Sequence, residues 1–189
     1  MTSSTLKVTT PTDREIVMIR VFDAPRALVF DALTKPALLK RWFVGPPGWT
    51  LAVCEVDLRV GGAYRYLWKG ERGEMGMGGI FKEITPPERI VATEAFDQAW
   101  YPGNNAQVTQ TLSEQGGKTT LTLTVRYESK DARDMVLKSP MESGVAGQYD
   151  VAWSCAAPLT TRSKGTVSAA KPPPPIGPTR ADNDRMTLV

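Results

Sequence analysis

The sequence of 189 residues contains no histidine. This absence excludes Ser-His-Asp and Cys-His catalysis, zinc or haem held by histidine, and histidine pH switching. The two cysteines, Cys54 and Cys155, are too few for a thiolate metal site or a disulfide framework. We expect both to be reduced thiols, as in a cytoplasmic protein, and we expect neither a metal nor a cofactor.

Long apolar runs and a strong excess of charge are also lacking. No stretch reaches the roughly 18 consecutive apolar residues of a membrane-spanning helix, and the first residues lack the apolar region of a secretory signal. The formal charge is only +3, from 23 basic and 20 acidic residues. So small an excess is no argument for affinity to nucleic acid. We predict no nucleic-acid partner, no membrane span and a cytoplasmic location.

The composition changes abruptly near residue 155. Residues 156–189 contain no aromatic residue and six of the fifteen prolines, four of them in the run Pro172–Pro175. Such a segment buries too little apolar area to offset the entropy of ordering it. We therefore predict a disordered leader at 1–12, one folded domain at 13–155, and a disordered, proline-rich basic tail at 156–189.

The whole formal excess of charge lies in this tail. Its five basic and two acidic residues leave 18 basic and 18 acidic groups in the first 155 residues, which are therefore neutral. Two explanations of the tail stay open, a genuine extension and a shifted reading frame near the 3′ end of the gene. Within an extension, the proline run is either a polyproline ligand for an SH3- or WW-type module or plain unfolded chain.

Turn signals divide the domain into a strand, two short helices, six strands and a C-terminal helical region. Thr34 followed by Pro36 predicts the cap and first turn of the second helix. Short turns between the last six strands predict an antiparallel meander. Ser139–Glu142 has the spacing of a capping box, which predicts a long helix that Pro158 closes. The expected α+β fold is a seven-stranded curved antiparallel sheet wrapped on this helix, with two short helices between its first two strands.

Alternation along two strands directs aromatic and acidic side chains toward the predicted helix. Tyr64, Tyr66 and Trp68 share one face of a strand, and Glu94 and Phe96 share a face of another. A row of aromatic rings lines an apolar ligand cavity or is ordinary core packing. A carboxylate that points inward is suited to acid–base chemistry, and the alternative is an ion pair with a neighbouring arginine.

Further positions complete the candidate site. Gln110 lies among apolar residues of its strand, Tyr127 ends the apolar face of the last strand, and the C-terminal helix presents one apolar stripe. No residue is assigned a catalytic role, because no nucleophile–base pair is evident. The predicted ligand-binding residues are Tyr64, Tyr66, Trp68, Glu94, Phe96, Gln110, Tyr127, Met141, Val145 and Tyr149.

An ordered set of segments carries a family resemblance. The segments are Asp23–Arg26 with Phe30, Leu38–Phe43, Gly45-Pro46, Asp57–Arg65, Glu83–Ile90 and Ser139–Gly144. This set resembles the START-like (helix-grip, SRPBCC) superfamily, which includes polyketide cyclases, aromatases and lipid carriers. Within it, the chain is similar to single-domain proteins that resemble the C-terminal domain of the activator of heat shock protein 90 ATPase. The resemblance spans about residues 13–153 and implies a fold, not one activity.

Three functions stay open. The preferred one is binding of a small hydrophobic or aromatic molecule in a cavity between the sheet and the C-terminal helix. The resemblance also implies a co-chaperone that activates an ATPase, with a chaperone as partner, or an enzyme similar to polyketide cyclases and dehydratases. Without histidine, such an enzyme would depend on carboxylate, phenol or guanidinium groups. A homodimer is left open as well, and a binding protein is expected before an enzyme.

Overall fold

A computed structural model describes residues 6–45, 47–71, 73–139 and 144–150 of the chain. The strands are β1 Lys7–Thr9, β2 Glu15–Phe22, β3 Thr50–Val56, β4 Ala63–Gly70, β5 Gly73–Thr85, β6 Arg89–Phe96, β7 Ala106–Gln115 and β8 Lys118–Tyr127. The helices are α1 Arg26–Thr34, α2 Pro36–Trp42 and α3 Lys130–Lys138. Residues 144–150 are helical as well and are called α4.

The strands form one antiparallel sheet in the order β1-β2-β8-β7-β6-β5-β4-β3. This order confirms the α+β class and the meander, because β3 to β8 are neighbours in chain order. The described residues contain eight strands where seven were expected. The additional strand is β1, which pairs with β2 so that Val8 lies opposite Met18. It lies in the segment predicted to be a disordered leader, and the buried Leu6 beside it joins that segment to the core.

Alternation gives the sheet one apolar face. Ile16, Met18 and Phe22 of β2 are buried, and so are Leu121 and Val125 of β8. Intervening residues of both strands are partly or fully exposed. The inner face is therefore the one that packs against the helices, as the alternation of β8 predicts.

The two short helices connect β2 to β3, as predicted. α1 packs against β7 and β8, and α2 packs against α1 and β3. The expectation that Thr34 caps the second helix is wrong, because Thr34 ends α1 and its hydroxyl donates to the Phe30 carbonyl at 2.8 Å. A threonine inside a helix bonds back to the preceding turn in this way. Lys35 is the N-cap of α2, and Pro36 does occupy its first turn.

The C-terminal helical region begins with α3, whose N-cap is Ser129. The expected capping box falls on residues 140–143, which lie outside the described residues, as does the continuation toward Pro158. The described part of that predicted helix is α4. None of the helices in the described ranges is both long and apolar enough to cross a membrane.

A charged contact and an aromatic contact join α4 to the inner face of the sheet. Arg20 of β2 is only 3% exposed, and its Nη2 lies 2.6 Å from Oδ1 of Asp150. The ring of Tyr149 meets Phe22 edge-to-face at 5.8 Å and lies 6.0 Å from Trp42. These contacts position the side chains of α4 that face the sheet.

Candidate ligand-binding cavity

A cavity of about 260 Å³ lies between the inner face of the sheet and the helices. Residues from every helix and from six of the eight strands line it. Eleven of the 27 described lining residues are aromatic, and most of the others are aliphatic or methionine. A wall of this composition suits an apolar or aromatic molecule.

The structure brings nine of the ten predicted site residues to this one cavity. The tenth, Met141, lies outside the described residues. The nine that line the cavity are Tyr64, Tyr66, Trp68, Glu94, Phe96, Gln110, Tyr127, Val145 and Tyr149. They come together because β4, β6, β7 and β8 each direct one set of alternate side chains to the inner face.

The aromatic row of β4 is both packed core and cavity wall. Tyr64, Tyr66 and Trp68 are buried, and consecutive ring centroids lie 5.2 and 5.9 Å apart. Phe43, directly after α2, meets Tyr66 and Trp68 edge-to-face at 5.2 and 4.9 Å. These rings are therefore core packing, and the same rings form part of the cavity wall.

Two polar groups of the aromatic wall already form hydrogen bonds within the protein. The Trp68 indole N–H donates to the Phe43 carbonyl at 2.8 Å, and the Tyr64 hydroxyl donates to the Thr93 carbonyl at 2.8 Å. These two donors are therefore not free to orient a ligand. The hydroxyls that form no hydrogen bond with a described residue belong to Tyr66, Tyr101, Tyr127 and Tyr149.

A glycine in β5 makes room for the position of Tyr64. Gly79 lies opposite Tyr64 in the sheet, and a Cβ at Gly79 would meet the Thr93 carbonyl oxygen. It would also lie 2.9 Å from Cε1 of Tyr64. Because only glycine avoids these contacts, it allows the Tyr64 hydroxyl to reach across β5 to β6.

Glu94 is the one aspartate or glutamate among the described residues of the cavity wall. It lies opposite Ala106 of β7, which in turn lies opposite Tyr127 of β8. Burial raises the pKa of the Glu94 carboxyl to about 7, because an apolar enclosure disfavours the charged form. The expected alternative, an ion pair with an arginine, is not formed with any described residue.

All five tyrosines of the chain surround this carboxylate in the same cavity. Burial raises the pKa of each phenol, and the negative charge of Glu94 raises it further. The phenols therefore stay neutral at ordinary pH, and Glu94 is the described lining group that changes charge near neutrality. The five residues are Tyr64, Tyr66, Tyr101, Tyr127 and Tyr149.

Sequence reasoning missed the aromatic wall residues in the loop after β6 and at the end of α2. Tyr101 and Trp100 belong to the loop between β6 and β7, and Tyr101 packs its ring edge-to-face on Tyr127 at 5.5 Å. Trp42 and Phe43 lie at the end of α2. The signal in the sequence that indicates them is the pairing of adjacent aromatic residues, which carry much apolar area to bury.

The cysteines and acidic groups give no sign of metal chemistry in the described part of the chain. Cys54 is a buried free thiol, and burial raises its pKa against the opposing effect of Lys40, so it stays protonated. No three cysteine, aspartate or glutamate side chains within the described ranges lie close enough to hold a metal ion. Cys155 lies outside those ranges.

The antiparallel sheet, the helices on its inner face and the apolar cavity between them define a START-like, helix-grip protein. The sequence model described as "Activator of Hsp90 ATPase homolog 1-like protein" matches residues 23–151. The chain therefore belongs to this family.

Solved structures support the same fold. A protein from Rhodobacter sphaeroides is 29% identical with a TM-score of 0.77, over 82% of this chain and 99% of its own. A protein from Chromobacterium violaceum is 27% identical with a TM-score of 0.61, over 78% and 97%. The AHSA1-like protein from Aeromonas hydrophila has a TM-score of 0.61 over 80% and 98%, and at 18% identity it shows the fold alone. No curated protein matches the chain.

Proposed function

We propose that the protein binds a small, mainly hydrophobic or aromatic molecule in the cavity between the sheet and the helices. The observation that carries the proposal is the cavity of about 260 Å³ with its largely aromatic wall. Protein interiors are normally close-packed, and atoms that face an empty space lose dispersion contacts. A ligand that fills the space restores these contacts, so the fold is suited to hold one.

The dimensions and polarity of the cavity narrow the ligand. Its volume lies near the lower end of the range for small-molecule sites, which favours a compact ring system over a long lipid chain. The hydroxyls of Tyr66 and Tyr127, which form no hydrogen bond with a described residue, offer hydrogen bonds within a mainly apolar wall. The nine predicted residues that line the cavity are proposed as ligand-binding residues on this basis.

A pair of alanines in β6 provides a matched test. Ala92 is buried and lines the cavity, whereas Ala95 is exposed on the opposite face of the same strand. The probe is N-phenyl-1-naphthylamine, a neutral aromatic molecule whose fluorescence rises in apolar surroundings. We expect Ala92→Leu to weaken its binding at least about tenfold, and Ala95→Leu to leave binding unchanged, because only the first fills the cavity.

Circular dichroism and thermal unfolding establish that both variants are folded. Equal binding by the two variants, or no binding by the wild-type protein, would contradict the proposal. Competition between the probe and a panel of flavonoids, polyketides and lipids then ranks the natural ligand classes.

The family match favours a second candidate function, activation of a chaperone ATPase. Adding the purified protein to heat shock protein 90 and measuring ATP hydrolysis tests it directly. Stimulation that saturates with protein concentration supports this candidate, and an unchanged rate removes it.

The position of Glu94 favours a third candidate, a cyclase- or dehydratase-like enzyme. A carboxyl that lines a cavity and has a pKa of about 7 can take up or release a proton near neutral pH. Incubation with poly-β-ketone thioesters, with Glu94→Gln as the comparison, tests this candidate. Turnover that the variant loses supports it, and identical product profiles with and without the protein contradict it.

A further inference from the structure

We propose that the natural ligand of the cavity is a compact organic cation, an aromatic or aliphatic molecule that bears an ammonium group held by the Glu94 carboxylate. This inference rests on the proposed function and names the ligand class for the same site. It follows from three features of the wall: its charge, its aromatic surface and the place of its polar groups.

The charge of the wall has one sign. Glu94 is the one carboxylate among the described lining residues, and none of these residues is a lysine or an arginine. A partly buried carboxylate with no cationic partner among the described residues is costly, and a ligand that brings the positive charge removes that cost.

The same charge disfavours anionic ligands. A fatty acid or a phosphate ester would place a second negative charge in an apolar enclosure that has no lysine or arginine among its described lining residues. Like charges at short distance in a medium of low dielectric constant repel strongly. The cavity therefore discriminates against the ligands that positively charged lipid-binding sites accept.

The aromatic surface suits a cation. The described lining residues include five tyrosines and three tryptophans, whose ring faces carry negative electrostatic potential. Aromatic walls of this kind recognise ammonium groups through cation–π contacts. An aliphatic wall around a cavity of equal volume would bind a neutral molecule equally well, but it would offer a cation no cation–π contact.

Two polar groups of the wall, Glu94 and Gln110, lie toward opposite ends of the inner face. Glu94, Ala106 and Tyr127 lie opposite one another on three neighbouring strands. Tyr101 packs on Tyr127, and the Tyr101 hydroxyl has no hydrogen-bond partner among the described residues. Gln110 lies four residues along β7 from Ala106, about 13 Å away at the usual rise of a strand. An ammonium group at Glu94 therefore leaves the apolar body of the ligand to extend toward Gln110.

Three naphthalene probes of similar shape test the inference at pH 8.0. They are 1-naphthylmethylamine, which is cationic, 1-naphthylmethanol, which is neutral, and 1-naphthoate, which is anionic. Each displaces N-phenyl-1-naphthylamine from the wild-type protein and from Glu94→Gln. Glu74→Gln removes one negative charge from an exposed position of β5 and is the matched control.

We expect the wild-type protein and the Glu74→Gln control to bind the amine about tenfold or more tightly than the alcohol, and the naphthoate most weakly. Glu94→Gln should bind amine and alcohol alike, because it removes the charge that distinguishes the two probes. Binding of the alcohol with no preference for the amine, or a preference that Glu94→Gln retains, overturns the ligand class but leaves the proposed function standing. Failure of every probe, N-phenyl-1-naphthylamine included, overturns both.

Discussion

Two carboxylates near the end of β6 lie in opposite environments. Asp97, on the outer face, is half exposed and accepts two hydrogen bonds from the Arg65 guanidinium at 2.8 and 2.5 Å. Glu94, three residues earlier, lines the cavity and has no cationic partner among the described residues. Among the described residues, the charge on the outer face is compensated and the charge on the inner face is not, and this difference is the basis of the proposed binding role of Glu94.

The largest expected effect on the free energy of unfolding comes from comparing substitutions on the two faces of β4. Trp68 is 2% exposed and lines the cavity, and Lys69 next to it is exposed on the outer face. We expect Trp68→Ala to lower the free energy of unfolding by about 3–5 kcal/mol, because it removes a large buried ring and its hydrogen bond to the Phe43 carbonyl. Lys69→Ala should change it by less than about 0.5 kcal/mol. Urea unfolding measures both, and similar values for the two variants would contradict the assignment of the faces.

The second comparison concerns the two carboxylates themselves. Unfolded chains lose the Glu94 proton near the ordinary pKa of 4.5, and the folded protein loses it near 7. Between these values the unfolded state binds fewer protons, so the free energy of unfolding falls as the pH rises. We expect Glu94→Gln to remove this fall and to be more stable than the wild-type protein at pH 8 by about 2 kcal/mol.

Asp97→Asn is the matched control for Glu94→Gln. Because its ion pair with Arg65 is solvent-exposed, we expect a loss of less than about 1 kcal/mol, which is opposite in sign to the effect of Glu94→Gln. Urea unfolding at pH 5 and pH 8 measures both variants. A loss of stability at pH 8 in Glu94→Gln would mean that the inner carboxylate has a partner after all.

Substitutions at two glycines of β5, one on each face of the sheet, should have smaller effects on the free energy of unfolding. A Cβ at Gly79 would meet the Thr93 carbonyl, which is backbone and cannot move aside. A Cβ at Gly76 would meet the carboxylate of Asp97 and the guanidinium of Arg65, which are the flexible ends of side chains. We expect Gly79→Ala to cost about 2 kcal/mol and Gly76→Ala less than about 1 kcal/mol. A larger loss for Gly76→Ala than for Gly79→Ala in urea unfolding would show that the backbone near Gly79 moves aside more easily than the Arg65–Asp97 ion pair does.

Residues on regular strands were predictable because alternation alone decides which face they occupy. Tyr64, Tyr66 and Glu94 reach the cavity for this reason, whatever the details of packing. The pairing of Arg65 with Asp97 follows from the same alternation, since both point outward. The predicted wall is thus most complete where the backbone is most regular.

The parts that the sequence did not predict depend on contacts between distant segments. The position of Tyr101 is set by its packing on Tyr127, which strand alternation does not encode. β1 has few residues and forms by pairing with β2, so its own composition gives a weak signal. Thr34 lies two residues before Pro36 and has the residue type of a cap, but the first helix extends through it.

The smallest effect concerns how binding of the amine varies with pH. The titratable groups that face Glu94 are the five tyrosine phenols, which stay protonated. Two charged groups shift the pKa of these phenols: Arg20 lowers that of Tyr149, and Glu128 raises that of Tyr101. Cys54, which acts on Tyr66, also stays protonated. Glu94 is therefore the described lining group whose charge changes between pH 8 and pH 5.5.

Protonation of Glu94 removes the negative charge that holds the ammonium group. We expect the affinity for 1-naphthylmethylamine, which stays cationic over this range, to fall about tenfold from pH 8 to pH 5.5. The affinity for 1-naphthylmethanol should stay constant, because a neutral ligand does not interact with the charge. Glu94→Gln should show no pH dependence for either probe. If the amine binds equally at both pH values in the wild-type protein, the carboxylate does not contact the ligand, and the inner and outer carboxylates differ in burial alone.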